Sequence, residues 1–243
     1  MILYHGSNKI IKSPVFGKDN PKNDYGLGYY CTEHLDLAKE WACSEGKNGF
    51  ANMYTINMEG LKILNLMSDD YHILNWLAVL LQNRTFVLKS GLPVDAKNYI
   101  LDNYLPSYNS YDVIRGYRAD DSYFAFTQDF INNTISLRQL RNAMYLGKLG
   151  EQIVLKSEKA FSCIRFEKAI EASNEVYYPM KVARDRAART AFKIDRDSAP
   201  VYDDIFVIDI IRNIRSNPMR LIIIPTVIRK FTGRDGYWHI FSG

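Results

Sequence analysis

Strand-type and helix-type segments are interleaved unevenly along this chain, and that order restricts its fold more than any other feature. MILYHG (1–6) is a short apolar run ended by glycine, and GYYCT (28–32), FANMYTINME (50–59) and LKILNL (61–66) follow it. YDVIRGY (111–117) and EQIVLKS (151–157) have the same β-branched and aromatic character between turn formers. Segments with apolar residues three and four apart lie among them: 33–46, where Thr32 is placed as a cap and Gly46 as a stop, then 69–84, 93–105, 122–132 and 136–146. A doubly wound parallel sheet needs strict alternation of strand and helix, which this order lacks, so an α+β fold is expected. Residues 7–25, rich in Lys, Asn, Pro and Gly, read as a long loop of the kind compact domains keep for function. EKAFSCIRFEKA (158–169) and the tail from Arg220 receive no element, whereas 181–196 and 203–214 read as helices.

The 243 residues, 47% hydrophobic and 24% charged, suit one domain or a domain with an appendage. No apolar run approaches the roughly 18 residues that cross a bilayer, and the N-terminus lacks a basic-then-apolar leader, so a cytoplasmic chain with no membrane association is expected. Cys31, Cys43 and Cys163 are odd in number with no CxxC spacing, which argues for reduced thiols. His5, His34, His72 and His239 form no zinc-binding pattern, GxxxxGK[ST] and GxSxG are absent, and GLGYYC fails GxGxxG at Cys31. Residues 1–174 carry 19 basic and 19 acidic side chains, residues 175–243 carry 12 and 8, and six of those basic residues fall in KVARDRAARTAFKIDR (181–196). That helix reads as a solvated face, with Asp185 and Arg189 one turn apart, or as a surface for phosphates or an acidic protein.

Four motifs carry a resemblance. LYHGS (3–7), DYGLGYYCT (24–32), YRADD (117–121) and QIVLKSEKA (152–160) stand in the order found in the ADP-ribosyltransferase superfamily, in the His-Tyr-Glu branch of diphtheria toxin and the poly(ADP-ribose) polymerases. The closest likeness is a bacterial family whose late strand opens with glutamine, and it covers about residues 2–168. The resemblance implies a split β-sheet core with helical insertions over residues 1–172 and a basic, mostly helical extension over 173–243. It also implies NAD as substrate, a protein or nucleic-acid acceptor, and the setting of a bacterial toxin paired with a small antitoxin protein.

The likeness assigns residues as well. His5 would hold a ribose hydroxyl, Gly6 would present its backbone to the carboxamide, and Ser7 would follow at the loop entrance. Gly28 would bring the cofactor against the main chain, Tyr30 would stack on the nicotinamide, and Trp41 would close its far side. Lys18 and Lys22 would cover the pyrophosphate. The third catalytic position is Gln152 by likeness to the bacterial family, or Glu151 by likeness to the polymerases; neighbours on a strand face opposite ways, so one of the two enters the cleft. A carboxylate could activate an acceptor hydroxyl, whereas a glutamine could only orient the ribose and offer a dipole.

Three functions follow: a glycosyltransferase-class enzyme moving ADP-ribose from NAD, an NAD hydrolase, or a catalytically silent module binding NAD, ADP-ribose or a protein. Taken singly, His5 reads as a structural histidine, one of Tyr29 and Tyr30 as core, and Asp120 and Asp121 equally as helix caps or as substrate-side groups.

Overall fold

The computed structural model describes residues 1–18, 20–89, 91–119, 121–146 and 150–216. It is a mixed α+β structure with two sheets and, among the described residues, eight helices. In the first sheet β1 (Ile2–Ser7), β3 (Gly49–Ile56) and β7 (Ile164–Ala172) are antiparallel in the order β1-β3-β7. In the second, the order is β2 (Tyr29–Cys31), β6 (Glu151–Leu155), β5 (Val113–Tyr117), β4 (Ile63–Asn65), with β4 parallel to β5 and the other pairs antiparallel.

The sheets meet where Tyr4 and Thr32 exchange backbone hydrogen bonds of 2.8 and 2.9 Å. The inner faces of β1, β2, β3 and β6 enclose Leu3, Tyr29, Cys31, Tyr54, Ile153 and Leu155, all fully or almost fully buried. The opposite face of the second sheet carries Ile114 and Val154 into a larger core under the helices. β6 therefore alternates between two apolar interiors, as a strand covered on both faces must.

Helix α1 (Leu35–Ala42) lies against β1. It begins one residue after His34, whose N–H donates to Thr32 Oγ1 at 3.2 Å, and it ends at Ala42 rather than at Gly46. Gly46 instead sits in a reverse turn in which Ser44 and Lys47 pair, and that turn feeds β3.

Helix α2 (Ile73–Asn83) buries eight residues and is started by a capping box between His72 and Asn75. It packs on α3 (Leu92–Tyr104), and α4 (Asp121–Ile131) and α5 (Leu137–Ala143) complete the cover. The short α6 (Glu158–Ser162) and then β7 divide the stretch 158–169 that the sequence reading left without an element. The alternation of β7 is masked by charged residues on the exposed side, because one face alone meets the core.

Helix α7 (Asn174–Arg196) begins well before the expected 181 and packs on α1, α4 and α5. Phe192 stacks on Phe126 with ring centroids 3.8 Å apart. Arg184 grips the buried Glu40 of α1 through two bonds of 2.9 and 2.7 Å. Val207 and Ile210 of α8 (Val207–Ser216) enter the larger core beside Phe192. No helix of the described residues is long and apolar enough to cross a membrane.

Candidate functional site

Beyond the Tyr4/Thr32 pair, β1 and β2 part and a cleft of about 390 Å³ opens, in the size range of small-molecule sites. Odd residues of β1 turn their backbone groups toward β3, as the Met1–Ile56 pair marks, and Tyr4 turns the other way. The alternation aims the N–H and C=O of Gly6 away from β3 and into the gap. Gly6 has a packing reason too, since a Cβ there would stand 2.1 Å from the Ala38 carbonyl oxygen and 2.8 Å from Trp41 Cβ. A side chain would lever α1 off the strand.

His5 lines the cleft, stacks on Tyr29 with centroids 4.3 Å apart, and places Nδ1 2.7 Å from the Tyr30 carbonyl oxygen. A carbonyl only accepts, so Nδ1 carries the proton and Nε2 presents a lone pair. Burial pushes the imidazole below its ordinary value, and the bond to Tyr30 opposes this in part. Neutral His5 is thus an acceptor for a hydroxyl.

Tyr29 and Tyr30 divide as neighbours on a strand do. Tyr29 is core, with its hydroxyl 2.6 Å from that of Tyr54, while Tyr30 lines the cleft. The Tyr30 hydroxyl donates to the Gly26 carbonyl and accepts the Tyr25 N–H at 3.1 Å, so the ring is fixed by the loop it closes. Lys156 Nζ donates to the carbonyls of Tyr25 and Leu27 and holds the same loop from below, and burial pushes its ammonium down to about 8.

On β6 the register places Gln152 opposite Gly116 and Val154 opposite Tyr30. Gln152 therefore shares the face of Tyr30 and lines the cleft, 7% exposed, with its Oε1 buried and without a hydrogen-bond partner. Glu151 points the other way and is held by Arg115, which also reaches Glu33 at 2.9 Å. Trp41 lines the cleft from α1, with Nε1 buried and unpartnered and the Arg118 guanidinium 4.1 Å from its ring centroid.

Other expected positions lie elsewhere. Lys18 and Lys22 are exposed and do not line the cleft. Ser7 is outside the lining, with its Oγ accepting from the Lys9 N–H at 3.2 Å. Gly28 is set against β6, where a Cβ would lie 2.6 Å from Val154 Cγ1, so its small size serves strand packing, and it does not line the cleft. Asp120, the side chain of Asp121 and His239 lie outside the described residues.

The cationic groups of the cleft are ones the sequence reading did not single out: Arg84 at the end of α2, Arg118 after β5 and Lys181 on α7. Asp24 faces them, with Oδ1 3.3 Å from Arg84 and Oδ2 accepting the Ala119 N–H at 2.9 Å. Arg118 and Asp24 both fall in motifs quoted above and Lys181 opens the basic segment 181–196, whereas Arg84 ends α2 with no local signature.

Comparison with curated proteins and with solved structures gives no match. The model of one family, described as a protein of unknown function (DUF3990), matches residues 1–166, so that α7 and Lys181 fall beyond the matched segment. The match spans more than half of the chain, which therefore belongs to the DUF3990 family.

Proposed function

We propose that this chain is an NAD-dependent ADP-ribosyltransferase built on the split-sheet fold of that superfamily. The observation that carries the reading is the convergence of His5, Tyr30 and Gln152, from three strands far apart in sequence, on one cleft beside Trp41. Tyr30 offers a ring for nicotinamide to stack on, and Gly6 offers a backbone donor and acceptor for its carboxamide. The His5 Nε2 lone pair and the orphaned Gln152 Oε1 accept from ribose hydroxyls, which holds the sugar while the C1″–N1 bond lengthens. The bond's electron pair leaves with nicotinamide, and the Gln152 carbonyl dipole lies beside the cation that develops on the ribose.

In this reading residues 1–172 carry the chemistry, and the extension from 173 adds Lys181 and a surface for an acceptor or a small neutralising antitoxin. A toxin of this kind is expected to arrest growth when expressed in a bacterial host, and His5→Ala to remove the effect. Incubation with labelled NAD tests the activity. Nicotinamide release with label on a macromolecule supports transfer, and release without label supports hydrolysis. NAD binding with no release above the His5→Ala background supports a silent module, the reading favoured by a glutamine where a carboxylate could stand.

A further inference from the structure

We infer that the acceptor of ADP-ribose is the terminal phosphate of a nucleic-acid strand; this rests on the transferase reading. Among the described residues, the carboxyl groups near the reacting centre are already paired. Glu151 is turned from the cleft into Arg115, and both oxygens of Asp24 are bonded, one to Arg84 and one to the Ala119 N–H. Gln152, the polar group of β6 that does face the cleft, takes up no proton, and His5 is engaged by the donor ribose. Among the described residues the cleft therefore offers a hydroxyl or ammonium acceptor, each of which must lose a proton as it attacks, no carboxylate that is not already held by a cation or a backbone N–H.

A phosphomonoester needs none. Its second pKa is about 6, so it arrives as an anion at neutral pH. A phosphate oxygen bonds to C1″ as the C1″–N1 bond breaks, the electron pair neutralises the pyridinium of the departing nicotinamide, and no proton moves. The product is a phosphodiester-like linkage between ribose and the strand end.

Charge points the same way. Among the described residues, Arg84, Arg118 and Lys181 line the cleft against one carboxylate, that of Asp24. Lys181 comes from α7, and about a quarter turn round that helix Arg186, Arg189, Lys193 and Arg196 follow one another at spacings of three and four residues. Arg189 pairs with Asp185 and Arg196 with Asp129 and Asp197, while Arg186 and Lys193 stand on the exposed flank. A strand lying along this flank meets a row of cations spanning roughly 15 Å. A phosphorylated peptide offers one such contact, and a nucleic-acid strand offers one at every residue.

The test uses the full chain, NAD labelled in its adenylate phosphate, and a single-stranded oligonucleotide made with either a 5′-phosphate or a 5′-hydroxyl, beside a phosphoserine peptide. Label is expected on the 5′-phosphorylated strand at least tenfold faster than on its hydroxyl twin, with the end then resistant to phosphatase. Arg186→Glu with Lys193→Glu, checked for an unchanged circular dichroism spectrum, is expected to lower that transfer about tenfold. Equal labelling of the two strands, label confined to the peptide, or nicotinamide release with neither strand labelled overturns the acceptor while leaving the NAD reaction standing. Absence of nicotinamide release with every acceptor overturns both.

Discussion

His5 Nδ1 and the carbonyl oxygen of Tyr30 lie 2.7 Å apart, so a cleft residue of β1 and a cleft residue of β2 are joined in one element of the site. The bond fixes the tautomer of the histidine and the height of the tyrosine together. A substitution at either position disturbs the other.

Tyr30→Ala is expected to weaken NAD binding by about 1–3 kcal/mol, the scale of a stacked ring contact. Tyr30→Phe keeps the ring and loses the hydroxyl's bonds to the Gly26 carbonyl and the Tyr25 N–H, so it should cost about 1 kcal/mol of stability with a smaller loss of affinity. Calorimetric titration with NAD and denaturant unfolding separate the two effects.

Gln152→Ala is expected to lower nicotinamide release by roughly 10²–10³, as removal of one aligned dipole does in other enzymes. Glu151→Gln should leave release within a few-fold and reduce stability by no more than about 1 kcal/mol, because its partner Arg115 is partly exposed. Steady-state rates for the pair report which residue faces the cleft.

Arg184→Ala leaves Glu40, whose side chain is 2% exposed, buried without its cation. The loss should be about 3–5 kcal/mol, and α7 should become sensitive to protease. Turnover should fall with it, since Lys181 and Trp41 reach the cleft from the two helices that this pair fastens. Urea unfolding with limited proteolysis checks both.

His72 sets a pH dependence. Its Nδ1 accepts the Leu74 N–H at 3.2 Å to cap α2, Nε2 is buried without a partner, and burial pushes the imidazole down to about 4. A folded pKa below the unfolded value of 6.5 means that the unfolded chain takes up the proton first. Stability is therefore complete above pH 6.5 and is lost between 6.5 and 4, by about 1.4 kcal/mol per pH unit and on the order of 3 kcal/mol in all. His5, shifted in the same direction, adds to the slope. His72→Asn keeps a capping side chain without the titration, so its unfolding free energy should vary less over that range than that of the parent.

The strand carrying His5 and Gly6, the Tyr29/Tyr30 division and the helices 73–83 and 92–104 were legible because each is written in local periodicity. The choice between Glu151 and Gln152 was not. A period of two says that they face opposite ways, and only the pairing of Val154 with Tyr30 says which face is the cleft. β7 escaped because its outer positions are charged, and the end of α1 because the backbone turns extended at Cys43, three residues before Gly46. The lysines of the 7–25 loop looked suited to phosphate by proximity in sequence, whereas Arg84, Arg118 and Lys181 reach the cleft from three separate elements. Such a cationic set exists only after folding.

The most direct test of the account is a crystal structure of the chain with NAD bound. The expected result has nicotinamide on the Tyr30 ring, its carboxamide on the backbone of Gly6, and the adjoining ribose hydroxyls on His5 Nε2 and Gln152 Oε1. NAD seated elsewhere, or in this cleft with its adenine end at Tyr30, would contradict it.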